Sequence, residues 1–315
     1  MTRERTDKSF LGTLPGLILG CLVSCGLWGS AYPCVKIGYE LFGITGSDVA
    51  SRLVFAGTRF TIAGIMVVVG VSIAQRRALL PAKRDLGAIG ILALFQTVLQ
   101  YFFFYGGLSH AAGVTSSIIG AAAYFFAILF AALIFKTENL TRKAVIGCTI
   151  GFAGVVLVNL GGSGDAAFSF ALDGEGFILL SSVAGAISTC FIAVLGRTHD
   201  SVLLSGWQFV TGGVVLLGCG LAMGGSLCPI SPGPALALIL YMGFISAMAY
   251  TLWSRLLAAN PVSRVSIFGF MTPVFGAAMS AVLLGETNAV NPLFALIALA
   301  LVSAGIVIVN RPNSQ

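Results

Sequence analysis

Charged residues are scarce in this chain. Only 9% of its 315 residues are Asp, Glu, Lys or Arg, whereas ordinary globular domains carry about 25%. Hydrophobic residues make up 57% of the chain, and the mean hydropathy is +1.00. This apolar content exceeds what the core of one soluble domain needs, so it excludes an ordinary soluble protein. The sequence therefore predicts an integral membrane protein.

Groups that could perform catalysis or bind a metal are equally sparse. The two histidines, His110 and His199, lie far apart, and the seven cysteines contain no CxxC pair. Cys21 and Cys25 share a helix face, but no His or carboxylate lies near them to complete a metal site. A membrane enzyme needs paired carboxylates, a nucleophile with a base, or metal ligands. We therefore expect no enzymatic activity, no metal site and no cofactor.

The net charge of +6 does not indicate nucleic-acid binding, because the basic residues form no continuous stripe. They indicate topology instead. If the N-terminus is cytoplasmic, 14 of the 17 Lys and Arg residues fall in cytoplasmic tails and connections, and only Lys36 and Arg52 fall at outer ends. The positive-inside rule then predicts a multi-pass protein of the cell membrane with both termini in the cytoplasm.

Ten apolar runs follow one another along the chain, joined mostly by short connections. Each is close to the roughly 20 residues that a helix needs to cross a bilayer. We therefore expect ten transmembrane helices, over residues 13–35, 52–74, 87–109, 113–135, 143–161, 174–196, 202–223, 234–256, 263–285 and 291–310.

The second half of the chain repeats the first after a shift of 149 residues. Residues that match under this shift include Gly57 with Gly206, Phe60 with Phe209, Gly64 with Gly213, and Tyr101 with Tyr250. Because a unit of five spans is odd, the two copies must have opposite orientations. Inverted repeats are typical of transporters with a substrate site near the midplane. We expect repeats over 13–161 and 174–310, with cytoplasmic tails 1–12 and 311–315.

Several segments resemble the EamA-type members of the drug/metabolite transporter superfamily. They are WGSAYPCVK (28–36), FAGTRFTIAG (55–64), ENLT (138–141), AYTLWSRLL (249–257) and TPVFGAAMSAVLLGE (272–286). The resemblance covers nearly the whole chain. It implies an all-α membrane protein with ten helices, arranged as two inverted five-helix repeats around a central cavity lined mainly by spans 1, 3, 4, 6, 8 and 9. It also implies export of amino acids or other metabolites.

The first repeat departs from the family pattern in its fourth span. The family carries a proline there, as span nine does at Pro273, but this chain has Tyr124 or Phe125 instead, and it ends that span with FKTE where LLGE is typical. A proline bends a membrane helix by removing a hydrogen bond. The sequence therefore leaves open whether span four bends as span nine does. Glu286 is expected to be a helix-end group.

The first span places Trp28 and Tyr32 on one helix face at cavity depth. Trp28 either lines the pocket, where its ring can stack on a ligand, or belongs to an interfacial aromatic belt. Pro33 is expected to loosen the end of this helix and to free a carbonyl for a gate. Pro273 is the corresponding candidate for a bend in span nine.

Arg59 lies about 10 Å inside the second span, and charges at this depth are costly. It either extends towards the outer headgroups or pairs with a helix end, or else it attracts an anionic group of the substrate. Gln96 and Gln100 share a face and either join helices or bind the ligand. The remaining candidates for the substrate cavity are polar-tipped aromatic residues and an adaptable methionine: Tyr101, Tyr124, Tyr250, Trp253 and Met271.

These features favour an exporter of small organic metabolites such as amino acids, working by alternating access at a midplane cavity. The alternative within this class is efflux of drugs or toxic compounds, but no carboxylate lies inside a span to balance a cationic drug. The same lack argues against a dedicated proton carrier. A non-transporting receptor or assembly factor is a third hypothesis. The expected partners are a small-molecule substrate and the lipid bilayer, with a monomer favoured over a dimer.

Overall fold

The computed structural model describes residues 10–45, 47–108, 110, 113–160, 171–283 and 292–311. Its regular elements are helices throughout these ranges. They form ten helical segments, α1 (Leu14–Leu41), α2 (Val49–Gln75), α3 (Lys83–Leu108), α4 (Gly113–Leu133), α5 (Arg142–Leu160), α6 (Leu172–Leu195), α7 (Ser201–Ala222), α8 (Pro232–Ala259), α9 (Val262–Leu283) and α10 (Pro292–Asn310).

Eight of the ten helices are long and apolar enough to cross a membrane, judged over the described part of the chain. Within α4, Ile118–Leu133 is a shorter apolar stretch. Length and composition thus agree with the expected architecture, and the prediction of an all-α membrane protein with ten helices is confirmed.

Polar side chains define where several helices begin. The Thr13 Oγ1 atom accepts a hydrogen bond from the Gly16 backbone at 3.3 Å at the start of α1. Asp48 does the same for α2, and Asp200 Oδ1 accepts from Val202 N at 2.8 Å at the start of α7. These caps satisfy backbone donors that have no partner within the helix.

The first helix differs from its predicted extent. We expected it to end near residue 35, with Pro33 at its end, but α1 continues to Leu41 and Pro33 lies inside it. A proline removes only one backbone hydrogen bond, and packing on both sides can hold the remaining turns in place. Part of the predicted N-terminal tail is also ordered. Phe10–Gly12 forms a 3-10 turn, and Asn260 Nδ2 donates to Leu11 O at 2.9 Å.

Successive helices run in opposite directions, so their connections meet at two faces. We call the face where α1 begins the basic face, because its connections carry most of the Lys and Arg residues. The first repeat meets the second at this face through Glu138 and Ser263, and through Asp85 and His199. At the opposite face, the Ile230 backbone donates to Leu41 O at 2.9 Å.

The packing of the helices has the symmetry of an inverted repeat. The most extensive contacts join α2 to α7 and α5 to α10, and each of these pairs consists of equivalent helices. In addition, α1 packs against α8 and α9 as α6 packs against α3 and α4. Exchange of the repeats therefore reproduces the contacts. These contacts make α1, α3, α4, α6, α8 and α9 the inner helices of the bundle.

Glycines allow α2 and α7 to approach closely. A Cβ atom on Gly57 would lie 2.8 Å from the carbonyl oxygen of Gly213, and one on Gly64 would lie 2.7 Å from that of Gly206. Gly57 is equivalent to Gly206, and Gly64 to Gly213, so the two contacts are reciprocal. Reciprocal contacts are the mark of a twofold interface, and small residues are the usual means of close packing between membrane helices.

Three of the inner helices contain irregular turns in the part of the chain that the structure describes, and in α6 it is the π-helical first turn Leu172–Gly176. In α9, Ile267–Phe270 forms a 3-10 turn immediately before the segment that holds Pro273. Proline has no N–H, and its ring crowds the carbonyl four residues earlier, which here belongs to Gly269. By contrast, α4 is α-helical from Gly113 to Leu133. In α3, Ala93–Leu99 forms a π-helical turn.

Candidate functional site

Two pairs of equivalent aromatic residues meet at the centre of the bundle. The rings of Phe60 and Phe209 are stacked, with centroids 5.2 Å apart and planes 1° apart. The hydroxyls of Tyr101 and Tyr250 form a hydrogen bond of 2.6 Å. Members of each pair are related by the 149-residue repeat. Equivalent residues can touch each other only near the axis that relates them, so the pseudo-twofold axis passes through this point.

Trp28 packs directly against this axis. Its ring centroid lies 4.9 Å from that of Tyr250 and 5.0 Å from that of Trp253, in edge-to-face arrangements. Its Nε1 donor is buried and has no hydrogen-bond partner among the described residues. Trp253 is itself buried. Trp28 therefore contacts the interior of the bundle. The structure brings together four of the predicted site residues, which we call the aromatic centre: Trp28, Tyr101, Tyr250 and Trp253.

Tyr32 lies one turn further along α1. Its ring packs against Gly276 of α9, since a Cβ atom there would lie 2.8 Å from Tyr32 Cδ2. It is also within electrostatic range of Tyr101 and Tyr124. Despite these inward-facing neighbours, 46% of Tyr32 is exposed. The Tyr32 ring therefore lies between α1 and α9 and is only partly covered by them.

Tyr124 and Met271 lie where α4 meets α9. The Tyr124 ring rests on the backbone of Gly269, where an added Cβ atom would lie 2.1 Å from it, and it also contacts the ring of Phe270 at 5.7 Å between centroids. Met271 is buried in the same hydrophobic cluster as Trp253. Tyr124 and Met271 thus lie at the interface between α4 and α9.

The predicted amides border α6. The Gln100 side chain packs on Gly185, and its backbone oxygen accepts a hydrogen bond from Ser181 Oγ at 2.7 Å. Gln96 is buried beside a small void that Ile192 also lines. The π-helical turn of α3 also contains Thr97, which contacts α7 instead of α6. Its hydroxyl donates to Gln208 Oε1 at 2.7 Å. The described contacts of Gln96 and Gln100 are thus between helices.

Arg59 is buried, with 5% of its surface exposed. Its guanidinium carbon lies 4.4 Å from the ring centroid of Phe60 and 5.7 Å from that of Tyr101. These are cation–π distances. Its Nε atom has no hydrogen-bond partner, and no carboxylate of the described residues forms an ion pair with it. The buried charge is therefore close to aromatic groups and has no counter-charge among the residues that the structure describes.

Two tyrosines near Arg59 are not among the site residues predicted from the sequence. Tyr39 and Tyr105 both lie within electrostatic range of its guanidinium, as do Tyr101 and Tyr250. Helical spacing offered a signal for both. Tyr39 follows Tyr32 by two turns of α1, and Tyr105 follows Tyr101 by one turn of α3, so each shares a face with a residue already selected.

The basic face is closed by contacts between the repeats. The Glu138 carboxylate accepts hydrogen bonds from Ser263 N at 2.9 Å and from Ser263 Oγ at 3.0 Å. Burial raises the pKa of the Glu138 carboxyl, while the bonds from Ser263 act in the opposite direction. A cavity of about 260 Å³ lies nearby and is lined by Leu11, Asp200, Ser201, Val202, Arg255, Ala258 and Ala259. The aromatic centre and this cavity are separate places.

Acidic groups are confined to helix ends and connections over the part of the chain that the structure describes. Glu40 is in the last turn of α1, while Asp173 and Glu175 are in the first turn of α6. Among the same residues, no cluster of three His, Cys, Asp or Glu side chains could hold a metal ion. The predicted helix-end group Glu286 lies outside the described residues.

The inverted arrangement of ten helices and its aromatic centre define a multi-pass membrane protein of the transporter class. The family model of the EamA-like transporters matches residues 14–160 and again residues 172–311. The chain belongs to the EamA-like transporter family.

Relatives and a solved structure agree with this assignment. The chain is 26% identical to a WAT1-related chloroplastic protein of Arabidopsis thaliana, over 91% of this chain and 68% of that protein. It is also 26% identical to a probable terminal-alkyne amino-acid exporter of Streptantibioticus cattleyicolor, over 90% of both chains. A crystal structure with 18% sequence identity superposes with a TM-score of 0.76, over 95% of this chain and 97% of the other. This last likeness concerns the fold.

Proposed function

We propose that the protein exports small organic metabolites such as amino acids, by alternating access at the midplane cavity between the inverted repeats. The substrate would lie beside the aromatic centre formed by Trp28, Tyr101, Tyr250 and Trp253. The single observation that supports this proposal is the contact between the equivalent residues Tyr101 and Tyr250 at the pseudo-twofold axis, with Trp28 packed on Tyr250 and Trp253. Inverted-repeat transporters bind their substrates where the repeats meet.

The residue types of the centre suit small organic solutes. Aromatic faces bind aliphatic or planar groups, while phenol and indole groups orient a polar end. Membership of a transporter family and the resemblance to an amino-acid exporter support the same substrate class. A cationic drug fits less well, because the described acidic groups lie at helix ends and not beside the aromatic centre.

For the orientation, we propose that the basic face and both termini are cytoplasmic and that the membrane is the cell membrane. The distribution of Lys and Arg supports this placement. A reporter enzyme that is active only outside the cytoplasm, fused after Arg311, is expected to be inactive. An active fusion would overturn the orientation.

The test of the function is a screen of metabolites against the purified protein, followed by transport into liposomes. A ligand present at 100 times its Kd stabilises a protein by about 2.7 kcal/mol, which is visible as a shift in unfolding temperature. Trp28→Ala is expected to abolish this shift and transport, because it removes the ring that packs on Tyr250 and Trp253.

The matched control is Phe244→Ala, which also truncates an aromatic side chain but at a position 47% exposed on α8. It is expected to keep both binding and transport. If liposomes with the wild-type protein moved no solute, the transport function would be refuted. If Trp28→Ala bound and transported normally, the aromatic centre would be excluded as the binding site.

A further inference from the structure

The buried polar atoms without partners share one chemical property. Within the described ranges, almost all of them are hydrogen-bond donors or hydroxyls that can donate, and the one that can only accept, Asn310 Oδ1, lies at the end of α10. An unpaired donor in an apolar environment is costly, so such groups call for an acceptor. The atoms are Trp28 Nε1, Tyr39 Oη, Arg52 Nε and Nη1, Arg59 Nε, Ser116 Oγ, Gln208 Nε2, Ser266 Oγ and Thr272 Oγ1.

Arg59 is the strongest of these donors. A buried guanidinium without a counter-ion is costly in a membrane, and the cation–π contacts with Phe60 and Tyr101 offset only part of that cost. The other buried arginine of α2 differs in this respect. Arg52 lies near the start of the helix, within electrostatic range of the Asp48 carboxylate. Of these two arginines, Arg59 is therefore the one without a nearby carboxylate in the described part of the chain.

Arg59 is also connected to the aromatic centre. Tyr101 faces the guanidinium with its ring and binds the Tyr250 hydroxyl with its own, and Trp28 packs on Tyr250. In the second repeat the equivalent of Arg59 is the neutral Gln208, whose oxygen is already occupied by Thr97. The positive charge at the axis is thus on one side only.

We propose that the transported substrate carries a carboxylate, and that this group is bound by Arg59 together with the one hydroxyl of the Tyr101–Tyr250 pair whose hydrogen is not used in their mutual bond. One guanidinium balances one carboxylate, and charge-assisted hydrogen bonds are the strongest pairing available to it. This inference rests on the proposed transport function and adds the class of substrate. The rest of the molecule would then lie against Trp28 and Tyr32.

The experiment compares small amino, hydroxy and oxo acids with their amides, which keep the shape but lack the negative charge. Binding to the purified wild-type protein is measured at neutral pH from the intrinsic fluorescence of its tryptophans and from the unfolding temperature. We expect each acid that binds to do so at least about tenfold more tightly than its amide, since tenfold corresponds to one strong charge-assisted contact.

Arg59→Gln is expected to bring the acid and its amide to within about threefold of each other, because it removes the charge that distinguishes them. The matched control is Arg52→Gln, the same substitution at the other buried arginine of α2, which is expected to keep the wild-type ratio. If Arg59→Gln does not fold, the wild-type ratio still decides, and Tyr101→Phe provides the second variant.

Equal binding of acids and amides by the wild type would overturn the carboxylate site, while transport of either kind would leave the proposed function intact. Preferential binding of inorganic phosphate or of a phosphate monoester would overturn it as well. If no acid bound, the proposal would be wrong. If liposomes also failed to transport neutral and cationic solutes, the transport function itself would fall.

Discussion

The α2–α7 pair and the α4–α9 pair both join equivalent helices of the two repeats, yet only the first remains symmetric. Between α2 and α7, Gly57 meets Gly213 as Gly206 meets Gly64. Between α4 and α9, Tyr124 stands at the position equivalent to Pro273, and its ring fills the space above Gly269. The equivalent glycine, Gly120, has no neighbour within 4 Å of an added Cβ atom.

This difference separates two demands on the molecule. At the α2–α7 interface the two helix backbones approach each other closely. Because the contact is reciprocal, the same pair of equivalent glycines allows this approach at two places. The α4–α9 interface borders the proposed substrate cavity. A small organic substrate has no twofold symmetry of its own. A binding site for such a molecule must be asymmetric. The loss of symmetry at Tyr124 and at Arg59 is therefore what the proposed site requires.

The largest effect is expected from closing the space between α2 and α7. An added Cβ atom would lie 2.5 Å from Val210 N in Gly64→Ala and 2.5 Å from Thr61 N in Gly213→Ala. Backbone atoms cannot move aside, so the helices must separate. We expect each substitution to destabilise the protein by about 3 kcal/mol, the upper end of the usual range for overpacking, as measured by unfolding in detergent.

Gly70→Ala is the matched control for this pair, because Gly70 is an exposed glycine of α2 with open space around it. It reports the gain in helix propensity without the clash. The prediction also requires the two interface variants to agree with each other. A large cost for Gly64→Ala with none for Gly213→Ala would show that the interface is not reciprocal.

A smaller and unequal effect is expected at the α4–α9 pair. Gly269→Ala would force the Tyr124 ring to move, which costs about 1–2 kcal/mol for a single misplaced side chain. Gly120→Ala meets open space and should cost nothing measurable. Unfolding temperatures of the two variants, compared with that of the wild type, test the asymmetry. Equal shifts would indicate that the pair is symmetric after all.

The overall architecture could be predicted from the sequence because two simple signals determine it. Runs of about 20 apolar residues identify helices that span a bilayer, and a constant shift of 149 residues identifies the repeat. The details of the helices were harder to predict. Pro33 indicated a helix end but lies inside α1, because packing holds the helix on both sides of it. The π-helical turn of α3 contains no proline or glycine, so no residue in it indicates an irregular turn.

The candidate site could be predicted only in part, for a geometric reason. Position along an apolar run gives the depth of a side chain, and this correctly placed Trp28 and Tyr101 deep in the bundle. It does not give the direction in which a side chain points. Gln96 and Gln100 have the right depth, but their described contacts are with neighbouring helices and not with the aromatic residues at the axis, whereas Tyr39 and Tyr105, which were missed, approach Arg59. Direction depends on how the helices pack.

The smallest effect is expected at the axis itself, from the hydrogen bond between Tyr101 and Tyr250. Because one bond of 2.6 Å serves both residues, Tyr101→Phe and Tyr250→Phe should each cost about 0.6 kcal/mol, the average for such bonds between membrane helices. The double variant should cost no more than either single one, since the second substitution has no bond left to remove. Unfolding of the three variants in detergent completes a double-mutant cycle. Additive costs would show that each hydroxyl has a separate partner, and the hydrogen bond between the two equivalent tyrosines would then be refuted.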